Sequence, residues 1–194
     1  PAWVEVKSIS AVPPDRLQMP LVFKPVCQGS SVGLEFVESS DQWSESLTEV
    51  LKHEGRAVVE EKIIGREVTV SILGGRALPI VEIRPKRGPY DYHNKYTRGA
   101  TDFFCPAQFD ANTTDRLKAV GLAAFDAVGA RDYGLVDLMI DAVNQPHVLE
   151  VNTLPGLTET SLLPKAADAA GLRFSELCEA ILAMALKRVL SLAR

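Results

Sequence analysis

The segment from Tyr133 to Asn152 limits the possible folds of this chain more than any other. It reads as two apolar runs, Tyr-Gly-Leu-Val-Asp-Leu-Met-Ile-Asp and Val-Leu-Glu-Val-Asn, separated by the turn-forming residues 142–145. Side chains alternate faces along a strand, so Glu150 and Asn152 project from one side of the second run. A hairpin centred on Val143-Asn144 sets Asp137 opposite Glu150 and Leu135 opposite Asn152. Facing carboxylates repel across a sheet and need compensation. A hard divalent cation held by oxygen ligands supplies it, and Mg²⁺ bound in this way usually also holds substrate phosphates. The bland alternative is a solvated hairpin with ordinary surface acids.

With 194 residues, 46% of them hydrophobic, the chain can bury a substantial core as one large domain or two small ones. A net charge of −4 and a pI near 5.5 argue against nucleic acid or a membrane surface as partner. Cys27, Cys105 and Cys178 show neither metal-ligand spacing nor even pairing, so they read as thiols of a reducing, cytoplasmic compartment. No apolar run approaches membrane-spanning length, and the first residues lack a signal-peptide pattern. A start at Pro1 rather than Met leads us to expect a fragment.

Periodicity predicts a strand over residues 20–25, a small-residue loop over 28–33 and a helix over 41–53. A strand over 56–63 precedes a hairpin of strands 67–73 and 77–84, turned by Gly74-Gly75. Residues 87–100 match neither period and read as a long surface loop, a length that is often functional. A strand over 102–107, a helix over 112–128, the acidic hairpin, and helices over 161–170 and from 175 complete an α+β architecture of antiparallel sheets backed by helices.

Three further segments carry chemistry. The loop Gly29-Ser30-Ser31-Val32-Gly33 offers backbone N–H groups to phosphate oxygens, and Lys24 lies close upstream; a plain tight turn is the alternative. No Gly-Lys-Ser/Thr follows the glycines, so this is not a Walker A loop. Tyr90-Asp91-Tyr92-His93-Asn94-Lys95-Tyr96 reads either as an exposed linker with aromatic anchors or as a lid with Lys95 as charge clamp. The strand end at Glu60-Glu61-Lys62-Ile63 can hold an adenine by backbone hydrogen bonds, with Glu67 accepting from ribose hydroxyls.

In combination these segments resemble the ATP-grasp fold, and within it the D-alanine–D-alanine ligase family. The resemblance runs through Phe23-Lys24-Pro25 with Gly29 to Gly33, Val59-Glu60-Glu61 with Gly65-Arg66-Glu67-Val68-Thr69-Val70, and Tyr90-Asp91-Tyr92 with Lys95-Tyr96. It continues through Phe104-Cys105-Pro106-Ala107 and Leu149 to Gly156, then Thr158 and Ser161-Leu162. It implies two subdomains with nucleotide between them: residues 1–60, part of the central subdomain, and 61–194, the C-terminal subdomain. It also implies an enzyme of cell-wall peptidoglycan synthesis in which ATP phosphorylates the carboxylate of one D-alanine and the amine of a second attacks the acyl phosphate. By position it assigns ATP to Lys24, Ser30, Ser31, Glu60, Glu61, Ile63, Glu67, Lys95 and Leu149. Two Mg²⁺ ions, or Mn²⁺, fall to Asp137, Glu150 and Asn152. Ser30 would hydrogen-bond the lid tyrosine Tyr96, Ser161 with Lys95 would receive the second substrate's carboxylate, and Gly156 would offer an N–H to the oxyanion.

Two departures from the family stand out. Leu135 occupies the place of an arginine that steadies the oxyanion, and losing such a donor typically lowers turnover about 10²–10³-fold. The N-terminal domain that helps bind the first D-alanine is absent from these residues, so an upstream domain or a homodimer partner is expected. The isolated chain should be weak or inactive. The alternatives are another ATP-grasp carboxylate–amine ligase and a nucleotide-binding pseudoenzyme.

Overall fold

The computed structural model describes residues 1–158 and 160–192. They form two compact units: residues 1–63 with 85–101, and residues 64–84 with those from 102 onward. The units are not contiguous in the chain, because residues 85–101 return to the first. Contiguity along the chain cannot reveal that a segment returns.

The first unit is built on a four-stranded antiparallel sheet. Its strands are β1 (Trp3–Val6), β2 (Leu21–Pro25), β3 (Glu35–Val37) and β4 (Ala57–Glu61), in the order β1-β4-β2-β3. Alternation sends Val4, Leu21, Phe23, Ala57 and Val59 inward, where α1 (Trp43–Glu54) covers them with Trp43, Leu47 and Val50. Trp43 meets Phe23 edge-on at 4.9 Å and donates its indole N–H to Ala11 O at 2.7 Å, so this large side chain is buried with its polar atom satisfied. Residues 87–100, expected to be irregular throughout, contain a short helix, α2 (Tyr92–Tyr96). Five residues show no apolar period; polar anchors hold them. Asp91 caps the helix by accepting from Asn94 N at 2.9 Å. The buried Asn94 amide donates to Arg87 O and Pro89 O, at 2.8 and 2.7 Å.

The second unit carries a six-stranded sheet. Five strands run in the order β10-β9-β5-β7-β8, with β6 paired to β5. They are β5 (Gly65–Leu73), β6 (Arg76–Ala77), β7 (Val81–Pro85), β8 (Thr101–Phe104), β9 (Tyr133–Asp141) and β10 (Pro146–Asn152). The strand expected over 77–84 is therefore broken into β6 and β7, with Pro79 in the gap, as proline's missing N–H requires. The helices α3 (Ala111–Ala127), α4 (Leu162–Ala169) and α5 (Phe174–Leu192) agree with expectation to within one or two residues. Each sheet face has its own core. Val68, Val70, Val136, Leu138 and Ile140 meet Leu117 and Phe125 of α3. Leu135 and Val81 meet Leu163, Ala166 and Ala167 of α4 and Leu177 of α5.

On β7 the Glu82 side chain is only 2% exposed and accepts from two guanidinium groups. Arg66 donates at 2.8 and 2.7 Å, and Arg84 at 2.8 and 2.9 Å. Burial pushes the carboxyl pKa up, but the hydrogen bonds from Arg66 and Arg84 outweigh it and hold the group below its ordinary value. A depressed folded-state pKa contributes stability above the ordinary carboxylate range, and that stability is lost as pH falls through the folded value. Glu82→Gln is expected to destabilise the protein by about 1–3 kcal/mol at pH 7 and to flatten the acid limb of its stability profile. Denaturant titrations between pH 7 and pH 3 check both.

Candidate functional site

The acidic hairpin reaches the expected register by an unexpected route. At its tip Ile140 pairs with Pro146 and Leu138 with Val148, one residue tighter than a centre at Val143-Asn144 would give. Asn144 turns the chain with φ of 62°, a left-handed conformation asparagine tolerates. The Asp141 carboxylate fastens the loop by accepting from Val143 N and Gln145 N, at 3.0 and 2.8 Å, and pairs with His147 at 3.0 Å. A bulge at Leu149 then adds a residue to β10, after which Glu150 lies opposite Asp137 and Asn152 opposite Leu135. On the other side of β9, Thr69 of β5 pairs with Asp137 and donates its hydroxyl to that carboxylate, and Glu67 pairs with Met139. Directly paired residues share a face, so Glu67, Thr69, Asp137, Glu150 and Asn152 all belong to one side of the sheet.

The all-oxygen donors of Asp137, Glu150 and Asn152 suit a hard cation such as Mg²⁺ or Mn²⁺ better than zinc, whose sites usually include nitrogen or sulfur. Asn152 Oδ1 also accepts from Leu154 N at 3.0 Å, which starts the turn after β10. That turn leads to Gly156, where an added Cβ would lie 2.8 Å from Ser161 Oγ, so the absence of a side chain permits the close approach. Ser161 Oγ is hydrogen-bonded to Thr158 Oγ1 at 2.8 Å and accepts from Thr158 N at 3.2 Å. The structure thus brings Gly156 and Ser161 together.

Leu135 shares the face of Asp137 but is only 5% exposed, within the cluster that includes Leu163, Ala166 and Leu177. The place where the family resemblance expects a cation is packed with hydrocarbon. Its cross-strand neighbour Ser71 is fully buried, and its hydroxyl has no hydrogen-bond partner among the described residues.

In the first unit, Lys24 Nζ donates to Glu60 Oε1 at 2.7 Å across adjacent strands, pairing a fixed cation with an acceptor. Glu61 Oε1 accepts from Gln18 N at 2.9 Å, and its backbone N–H donates to Ala2 O at 3.0 Å. Ile63 ends the first of the two chain segments that make up this unit. Ser30 Oγ and Tyr96 OH are 2.8 Å apart, Ser31 Oγ donates to Tyr90 O at 3.5 Å, and Lys95 Nζ sits 5.2 Å from the Tyr90 ring centre. The glycine loop and the tyrosine segment are therefore tied together. Two features escaped the sequence reading: the Lys24–Glu60 pair, visible only once β2 and β4 are in register, and the role of Thr69 beside Asp137, which alternation from Glu67 could have flagged.

The profile of the family described as D-ala D-ala ligase C-terminus matches residues 3–183. The D-alanine–D-alanine ligase of Methylacidiphilum infernorum (isolate V4) is 47% identical over 163 residues, 84% of this chain and 54% of the relative. That of Bordetella avium (strain 197N) is 39% identical over 189 residues, 94% of this chain and 60% of the relative. The crystal structure of D-alanine–D-alanine ligase from Bacillus anthracis superposes with a TM-score of 0.85 at 37% identity, covering 96% of this chain and 62% of that one. The ATP complex from the same organism gives 0.81 at 33% identity, covering 96% and 60%. The fold is thus the mixed α/β ATP-grasp fold. The chain belongs to the D-alanine–D-alanine ligase C-terminal family and spans little more than half the length of these relatives.

The buried Ser71 hydroxyl, without a partner among the described residues, should cost stability. Ser71→Ala is expected to stabilise the protein by about 1 kcal/mol, read as a rise in denaturation midpoint at unchanged denaturant slope.

Proposed function

We propose that this chain is the nucleotide-binding and catalytic portion of a D-alanine–D-alanine ligase, joining two D-alanines at the expense of ATP in cytoplasmic peptidoglycan precursor synthesis. The observation that carries this reading is the alignment of Asp137, Glu150 and Asn152 on one face of the β9–β10 hairpin. The family match over residues 3–183 supports it. In the reaction a carboxylate oxygen of the first D-alanine attacks the γ-phosphorus and ADP departs. The amine of the second D-alanine then attacks the acyl carbon, loses a proton, and expels phosphate.

The roles of the residues follow from their chemistry. Lys24, held beside Glu60 by their 2.7 Å hydrogen bond, offers its charge to the nucleotide phosphates. Glu61 and Ile63 offer backbone groups to the base, Leu149 offers apolar contact, and Glu67 offers an acceptor for ribose. Ser30 and Ser31, tied to Tyr96 and Tyr90, close over the phosphates and exclude water, with Lys95 balancing their charge. Ser161 orients the second carboxylate, and the Gly156 N–H donates to the developing oxyanion. Asp137, Glu150 and Asn152 would hold two Mg²⁺ ions, which when bound neutralise phosphate charge and stabilise the transferring phosphoryl group. The reading includes an N-terminal domain or a homodimer partner that completes the first D-alanine site.

Leu135 favours a second reading, a nucleotide-binding pseudoenzyme, since an apolar side chain packed against α4 and α5 stands where the family resemblance expects a cation. Phosphate release with ATP alone, with D-alanine and with other amino acids separates the possibilities. D-alanine-dependent release supports the ligase, a different required acid another ATP-grasp ligase, and nucleotide binding without turnover the pseudoenzyme. Leu135→Arg is expected to raise ligation about 10²-fold or more; an unchanged rate would mean that another group serves the oxyanion. In calorimetry, Asp137→Asn should remove most of the Mg²⁺ dependence of ADP binding.

A further inference from the structure

The glycine loop between β2 and β3 has one open side and one supported side. Nothing lies within 4 Å of where a Cβ would stand on Gly29. A Cβ on Gly33 would instead lie 2.5 Å from His53 Cδ2, 2.6 Å from His53 Nε2 and 2.9 Å from Pro25 Cγ. His53 and Glu54 are the last residues of α1, which Gly55 terminates in a left-handed conformation with φ of 70°. Glu54 Oε1 accepts from the backbone N–H of Cys27 at 2.8 Å. The end of one helix thus touches the loop where it leaves β2 and again where it approaches β3.

Between these two contacts, Ser30 and Ser31 are consecutive non-glycine residues with positive φ, 55° and 60°. Residues persist in that conformation only where their surroundings over-determine it. The lid hydrogen bonds to Tyr96 and Tyr90 hold the loop from one side. Electrostatics excludes anion attraction as the purpose of Glu54: a carboxylate at the negative end of a helix dipole repels phosphate. Its contribution must be to the shape of the backbone.

Resting on the nucleotide-binding reading above, we infer that Glu54 and His53 are positioning residues. They brace residues 27–33 from behind, so that the loop meets phosphates already in its bound conformation. Neither residue contacts the nucleotide. Glu54 supplies the hydrogen-bond anchor, and the His53 ring supplies the floor beneath Gly33.

Calorimetry on the full 194-residue chain with Mg-ADP, Mg-tripolyphosphate and adenosine tests this inference. Glu54→Ala is expected to weaken ADP and tripolyphosphate roughly tenfold, the equivalent of one charge-assisted hydrogen bond, and to leave adenosine unchanged. His53→Ala should act in the same direction. Glu54→Gln, whose amide oxygen still accepts from Cys27, should bind within about twofold of the parent. Parent-like binding by Glu54→Ala, equal weakening of all three ligands, or a Glu54→Gln as weak as the alanine variant would each overturn the brace. Amide exchange over residues 27–33 without ligand is expected to quicken in Glu54→Ala, and unchanged exchange would also overturn it. If the parent binds no nucleotide while exchange still quickens, the nucleotide reading has failed and the brace stands as a feature of the loop.

Discussion

Two carboxylates facing each other across an antiparallel strand pair set the terms for the second unit. Asp137 and Glu150 share a face because the register requires it, and their mutual repulsion must be offset by something outside the hairpin. The Thr69 hydroxyl offsets part of it through its hydrogen bond to Asp137. The sheet also holds the pair rigidly, since β9 is flanked by β5 and β10 along its length. In the proposed ligase reading, a bound hard cation would stabilise the pair further.

The same division of labour appears in the first unit, where polar pairs hold shapes that hydrocarbon packing does not. The apolar core lies on one face of the sheet, against α1. The opposite face carries Lys24 and Glu60, and the loops beyond it are fastened by Glu61, Asn94, Ser30 and Glu54. Each of these bonds is worth little alone, on the order of 1 kcal/mol. Together they choose one conformation for segments without a hydrophobic reason to adopt any.

Most of the regular structure was legible because burial imposes a period. The helix over 112–128, the last helix and the strands flanking Gly74-Gly75 all announced themselves in this way. The short helix at Tyr92–Tyr96 did not, because five polar and aromatic residues carry no period and a single buried asparagine decides their path. The hairpin register was anticipated correctly at Asp137 and Glu150, although the turn is one residue tighter and the Leu149 bulge makes up the difference. Alternation reveals which residues face each other when strands are regular, and it cannot reveal a bulge.

Taken alone, the order of residues determined the class of fold, the pairing partners of the acidic strand, and the residue types available for phosphate and metal. Those properties depend on local periodicity and on chemistry carried by each side chain. Only the tertiary structure decided that Leu135 is sealed in an apolar cluster, that Lys24 is already paired with Glu60, and that the end of α1 supports the glycine loop. Each of these is a contact between segments distant in the chain, and such contacts follow from sheet order and helix packing, which no short-range pattern encodes.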